Sequence, residues 1–296
     1  MIKINNLTKS FGKVKAVNNI SLSFDNGVIG LVGENGAGKS TLFRLISGII
    51  KADSGSILIN DKDSFSKEAK EKLFFLSDDP FVPYGNYLKD LYEFYSCFYN
   101  VDKTKFNSLI TRFDLPKDKK ISSYSKGMKR KAFIALTLAI DVDIYLLDEA
   151  FDGIDPLVLE VIKQEIIALG KQNKTVIISS HNISTLERLV DRTIILYAGQ
   201  VKRDGNIEHL GDELVKYQIY TKDIINEEVL IKLGIKVVSL KKVGSIYHLV
   251  IKSSNDVETI VKEKLNPILF EKIPIDGDEI VILEMMMAKL EGNKHE

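Results

Sequence analysis

The chain has 296 residues, with 41 basic and 41 acidic side chains, 45% hydrophobic residues, 28% charged residues and one cysteine. A chain of this length fits two domains, or one large domain with an appendage, and buries enough surface to need no metal or disulfide staple. The charge balance excludes a general polyanion binder, the hydrophobic content excludes wholesale disorder, and Cys97, lacking a disulfide partner, fits a reducing compartment.

The opening MIKINNLTKSFG has no apolar core and no cleavage site, so it is not a secretory signal. Val28 to Val32 is a short apolar run with the pattern of a buried strand, and Lys39 to Ile50 reads as the helix that follows. Ser56 to Asn60 and Leu73 to Leu76 are further strand candidates. Strand signals then vanish between Tyr84 and Ile140. Leu88, Leu91, Tyr92, Tyr95 and Tyr99 share one helical face, and Lys129 to Ile140 forms a second helical stretch, so this span is a helical insertion. The longest apolar run, Ala132 to Ile140, stops at Asp141 and falls short of the ~18 residues of a membrane span. The expectation is a soluble, cytoplasmic chain.

Ile144 to Leu147, Thr175 to Ser179 and Thr193 to Tyr197 are β-branched, apolar runs of the kind parallel sheets bury on both faces. Between the first two, Asp155 caps a helix, Pro156 occupies its first turn and Gly170 is placed to end it. Val158, Val161, Ile162, Ile166 and Leu169 follow the helical period. Alternating strands and helices give an α/β fold. A polar stretch near Gly205 to Gly211 marks a boundary. Beyond it come a strand (Tyr217 to Tyr220), a helix (Glu227 to Leu233), two strands around Gly244-Ser245, a helix (Val257 to Leu265) and a strand (Ile268 to Ile273). That is the order of a split βαβ sandwich, followed by an amphipathic stretch from Glu279 to Leu290.

Four segments carry chemistry. GENGAGKST (Gly33, Glu34, Asn35, Gly36, Ala37, Gly38, Lys39, Ser40 and Thr41) follows a strand and opens a helix, the context of a phosphate-binding P-loop. Its backbone amides cradle phosphates, Lys39 meets the β and γ oxygens, Ser40 ligates Mg²⁺ and Thr41 reaches a neighbouring phosphate. Asp148-Glu149 ends an apolar strand. There Asp148 is placed to hold Mg²⁺ and Glu149 to orient water as a general base. YSKGMKRK, Tyr124 to Lys131, puts a positive cluster at a helix start, against the helix dipole, which favours an anion there. Ser179-Ser180-His181 follows a buried strand at the sheet end where ligands gather.

In this order, the four segments resemble the nucleotide-binding subunit of an ATP-binding cassette (ABC) transporter over residues 1–210, and the SKGM form resembles the ABC-2-type exporter subgroup. The resemblance implies a P-loop cassette with a mostly parallel sheet core, a helical subdomain at about 84–142, and a small α+β accessory domain at 211–296. It implies that ATP and Mg²⁺ bind, and that Ser125 and Gly127 act as a signature motif on the γ-phosphate held by an opposite subunit. Lys126 and Met128 replace the usual glycine and glutamine. His181 corresponds to the switch histidine, Gly153-Ile154-Asp155 to the D-loop, and Phe11, otherwise a plain core residue, to the adenine-stacking aromatic. Asp78 stands where the family has the Q-loop glutamine, and its carboxylate is a candidate Mg²⁺ or water ligand. The aromatics Phe81, Tyr84, Tyr87, Tyr92 and Tyr95 fall where a membrane subunit docks, and they suit a helical core equally. The implied partners are an integral membrane transporter subunit and a second cassette, as a homodimer or heterodimer, with no nucleic acid. The chain would sit on the cytoplasmic face of the membrane through its partner. The alternatives are a soluble ABC ATPase, disfavoured by the single cassette and absent basic tail, and a degenerate nucleotide-sensing cassette, favoured by Asp78 and Lys126 but opposed by Glu149 and His181.

Overall fold

The computed structural model describes residues 1–82, 87–206, 213–252 and 257–292, and the chain divides into two compact units, Met1–Asp204 and Gly205–Glu296. In the first, β1 (Ile2–Phe11) and β2 (Val14–Phe24) pair antiparallel and join β4 (Ser54–Ile59) and β5 (Lys62–Asp63) in a four-stranded sheet of order β2-β1-β4-β5. A second sheet, of six strands, contains β3 (Gly27–Val32), β6 (Leu73–Leu76), β7 (Ile144–Leu147), β8 (Thr175–Ser180), β9 (Arg192–Tyr197) and β10 (Gln200–Gly205) in the order β10-β9-β3-β8-β7-β6. Its β9-β3, β3-β8, β8-β7 and β7-β6 pairs are parallel.

Both faces of that sheet are covered. α1 (Lys39–Ile46) turns Leu42, Phe43, Leu45 and Ile46 into one core with Ile29 and Leu31 of β3 and the inner face of the antiparallel sheet. Each such side chain is worth about 1.5–3 kcal/mol relative to exposure. Val28 points the other way, as strand alternation requires, and meets Gly170 of α6 (Pro156–Lys171). Among the described residues, the span between β6 and β7 holds α3 (Leu88–Ser96), α4 (Lys103–Arg112) and α5 (Lys126–Ala139). A short helix, α2 (Lys67–Lys70), precedes β6.

Two sequence expectations need correction. α1 stops at Ile46 rather than Ile50, because the amides of Ile49 and Ile50 fold back onto the Arg44 carbonyl at 2.9 and 3.2 Å. α6 runs through Gly170 to Lys171, and the left-handed residue beyond it is Asn173 (φ 59°). α4 falls inside the expected helical insertion, between the two helical stretches named there. It is capped by Asp102, whose carboxylate accepts from the Lys105 amide at 2.9 Å, and it buries Phe106, Leu109 and Ile110.

The second unit has β11 (Leu214–Tyr220), α7 (Glu227–Lys232), β12 (Val237–Val243), β13 (Ile246–Lys252), α8 (Val257–Leu265), β14 (Leu269–Ile273) and α9 (Gly277–Gly292). Its four strands form an antiparallel sheet of order β12-β13-β11-β14, the split βαβ arrangement. Tyr217, Ile219, Leu249 and Ile251 pack with Leu230 of α7 and with Val257, Val261 and Leu265 of α8. On the other face, Leu214 and Val250 pack with Leu283 of α9. Among the described residues, no helix is long and apolar enough to cross a membrane.

Candidate nucleotide site

The order of the six-stranded sheet gathers the chemistry. β3 is flanked by β8 and β9, with Val32 in register with Ser180 and Ile195, and β7 lies beside β8, with Leu147 opposite Ile178. The segments leaving β3, β7 and β8 at their C-terminal ends are the P-loop, Asp148-Glu149 and His181, so three distant stretches converge by topology alone.

Gly38 caps α1 at φ 106°, and a Cβ there would lie 2.2 Å from the Ala16 carbonyl oxygen, so only glycine lets the loop close onto its neighbour. Asn35, Gly36, Gly38, Lys39, Ser40 and Thr41 line a cleft together with Ala16, Asp78 and Glu149. Lys39 is 5% exposed. Its ammonium donates to the Gly33 and Glu34 carbonyls at 2.6 and 3.2 Å, and it pairs with Glu149 Oε1 at 3.2 Å.

Glu149 is held from several sides. Its other oxygen, Oε2, faces His181 Nδ1 at 3.0 Å and accepts from the His181 amide at 3.3 Å. Its own amide donates to Ser179 Oγ at 2.9 Å, and that hydroxyl donates to Asp148 Oδ1 at 2.6 Å. Its carbonyl accepts from the buried Arg130 guanidinium. The backbone at Glu149 is left-handed, φ 46°, a conformation that costs a non-glycine residue ~1–3 kcal/mol and persists only where surrounding groups fix it. Asp152 brings a third ligand-type group within 4.8 Å of those of Glu149 and His181. The roles of Ser179 and Arg130 were not anticipated from sequence.

With the fold and this cleft in place, comparison with known proteins becomes specific. A family model described as ABC transporter matches residues 17–152. The ABC transporter ATP-binding protein YtrB of Bacillus subtilis (strain 168) is 28% identical over 288 residues, covering 95% of this chain and 97% of that protein. The bacitracin transport ATP-binding protein BcrA of Bacillus licheniformis is 30% identical over 241 residues, covering 78% of each chain. The chain belongs to the ABC transporter ATP-binding proteins.

The fold of this ABC ATPase subunit is also that of the cassette MJ0796, solved as a dimer in a post-hydrolysis state bound to ADP and Pi. That structure superposes with a TM-score of 0.62 at 23% identity, covering 70% of this chain and 98% of that one.

The remaining sequence candidates distribute unevenly in the cassette. Ser125 caps α5, its Oγ accepting from the Met128 amide at 3.2 Å, and neither it nor Gly127 lines the P-loop cleft of its own chain. Gly127 packs so closely that a Cβ would lie 2.6 Å from the Gly153 carbonyl oxygen, joining the signature-like segment to the D-loop-like one. Lys131 pairs with Asp155 at 3.1 Å. The Asp155 carboxylate accepts from the Val158 amide at 3.0 Å, and that hydrogen bond holds its pKa below the ordinary value. Asp78 borders the cleft with its carboxylate on Arg130. Phe11 is 52% exposed at the end of β1 with Lys9 over its ring, so it is not a core residue, and it is not among the cleft-lining residues. Phe81 is 67% exposed and forms an aromatic file with Phe94 and Phe98. Tyr92 and Tyr95 instead pack inward against Phe106 and Phe133. Tyr87 is partly exposed, and Tyr84 lies outside the described residues.

Proposed function

We propose that this chain hydrolyses ATP between two cassettes and so drives export of a substrate through an integral membrane subunit. The observation that carries the reading is the Lys39–Glu149–His181 line at the cleft, with Asp148 fixed behind it by Ser179. Lys39 and the amides of Gly33 to Thr41 take the phosphates, and the Glu149 carboxylate, oriented by His181, aligns the attacking water and accepts its proton. A phosphate and Glu149 compete for one ammonium, so binding at Lys39 releases the Glu149 carboxylate for this role.

The Ser40 hydroxyl and the Asp148 carboxylate are hard oxygen donors of the kind Mg²⁺ takes, and Asp148 presents only Oδ1 to Ser179, so the residues fit that ion. When bound, Mg²⁺ neutralises phosphate charge. Ser125 and Gly127 stand outside their own cleft, which supports a role on ATP held by a second cassette, a copy of this chain or a paralogue. Phe11 is the proposed stacking partner of the adenine. We assign residues 1–210 to the ATP-binding domain and residues 211–296 to an accessory domain. The exposed file of Phe81, Phe94 and Phe98 is the proposed seat of the membrane subunit, which would hold the cassette on the cytoplasmic face. The export direction is supported by similarity to a bacitracin transport ATP-binding protein.

Glu149→Gln tests the reading. Phosphate release should fall by ~10²–10⁴-fold, the range expected for loss of a general base, while equilibrium binding of labelled ATP is retained. Hydrolysis near the wild-type rate in this variant would remove Glu149 from its role. Tight ATP binding by a wild-type chain that never hydrolyses it would instead favour the nucleotide-sensing alternative.

A further inference from the structure

Arg130 lies in the first turns of α5 and is only 7% exposed, yet its guanidinium reaches two segments far away in sequence. It donates to the Glu149 carbonyl, to the Asp78 carbonyl at 3.0 Å and to the Asp78 carboxylate. We propose that Arg130 is a positioning residue for hydrolysis, fixing the turn that aims Glu149 and making that turn depend on Asp78.

Three observations support this. The left-handed backbone at Glu149 needs both of its peptide groups restrained: Ser179 takes the amide and Arg130 takes the carbonyl. A buried guanidinium without a counter-charge is strongly destabilising, and Asp78 supplies that charge where a glutamine could not. Asp78 also borders two cavities, the nucleotide cleft and a neighbouring one lined by Leu76, Pro80, Val82 and Phe133. Through Arg130, residue 78 is tied to the Glu149 carbonyl.

The inference rests on the proposed hydrolytic role of Glu149, and its test separates the two. Purified full-length chains carrying Arg130→Ala, Arg130→Lys, Asp78→Asn and the Arg130→Ala/Asp78→Asn pair are compared for phosphate release, ATP binding, and backbone hydrogen exchange over residues 149–153. Arg130→Ala should lower kcat ~10–100-fold, the cost of a misplaced catalytic group. ATP affinity should stay within about threefold, a kcat effect without a binding effect. Arg130→Lys should recover only part of the loss, because one ammonium cannot reproduce the fork. Asp78→Asn alone should lower kcat, yet add nothing to Arg130→Ala, since the two act as one unit. Exchange over 149–153 should rise in Arg130→Ala without nucleotide. Wild-type kcat in Arg130→Ala, or losses that multiply in the pair, would overturn the assignment. If Arg130→Ala does not fold, Arg130→Lys and Asp78→Asn carry the same comparison. If the wild-type chain is inactive, the proposed hydrolytic role fails, and unchanged exchange over 149–153 would separately overturn the positioning role.

Discussion

The P-loop side of the cleft and the signature-like segment at the start of α5 are built on opposite plans. On the P-loop side, the charged groups at the cleft meet partners within the chain: Lys39 meets Glu149, Glu149 meets His181, and Asp148 meets Ser179. On the other side, Ser125 caps its own helix and Gly127 rests on Gly153, both away from the cleft of their own chain. Of the basic residues there, Arg130 and Lys131 are paired with Asp78 and Asp155, while Lys126 is exposed. One half of the site is assembled by folding. The other half is braced in its own chain, and in the proposed reading a second cassette completes it.

Substitutions on each side sharpen this contrast. Ser179→Ala strikes the self-contained half, removing the acceptor of the Glu149 amide and the donor to Asp148. Leaving those buried groups unpaired should destabilise the chain by about 1–3 kcal/mol in denaturant unfolding. Hydrolysis should fall with it, because the same hydroxyl holds the Asp148 carboxylate and the Glu149 backbone, both proposed to act in it. Unchanged stability and activity would mean that water replaces the hydroxyl and that the half is less rigidly built than its contacts indicate.

Asp155→Ala strikes the braced half and should be gentler. Losing the cap of α6 should cost about 1 kcal/mol, with ATP binding at the P-loop unaffected. The sign with pH follows from the Val158 hydrogen bond. The folded-state pKa of Asp155 is held below its ordinary value, so its contribution is complete above the unfolded-state pKa and fades as pH falls through the folded-state one. The wild-type and Asp155→Ala unfolding curves should therefore converge on acidification. A gap that widened in acid would contradict the capping role.

What was legible in the sequence followed from burial. Ile144 to Leu147 is buried at every position, so it reads as an unbroken apolar run, and the P-loop announces itself between such a strand and a helix. β1 was harder to read, because register shifts after Ile4 and Leu7 break the alternation a strand should show. α4 was hidden by its polar residues, with only Phe106, Leu109 and Ile110 buried. Ser179 stood in a segment already singled out, but its role depends on β7 and β8 lying side by side. In sequence, Arg130 reads only as part of a positive cluster. Its partner Asp78 is 52 residues away, and no local periodicity links them.

The central claim, a site completed by a second cassette, is tested most directly by mixing two inactive chains. Lys39→Ala removes the phosphate-binding ammonium, and Ser125→Arg blocks the signature-like segment. Each homodimer should be inactive, but a mixed dimer has one site with both defects and one with neither. Equimolar exchange should therefore restore about a quarter of wild-type phosphate release, since half the dimers are mixed and each has one of two sites intact. No recovery on mixing, in dimers shown to have exchanged subunits, would place both groups in one chain's site and contradict the account.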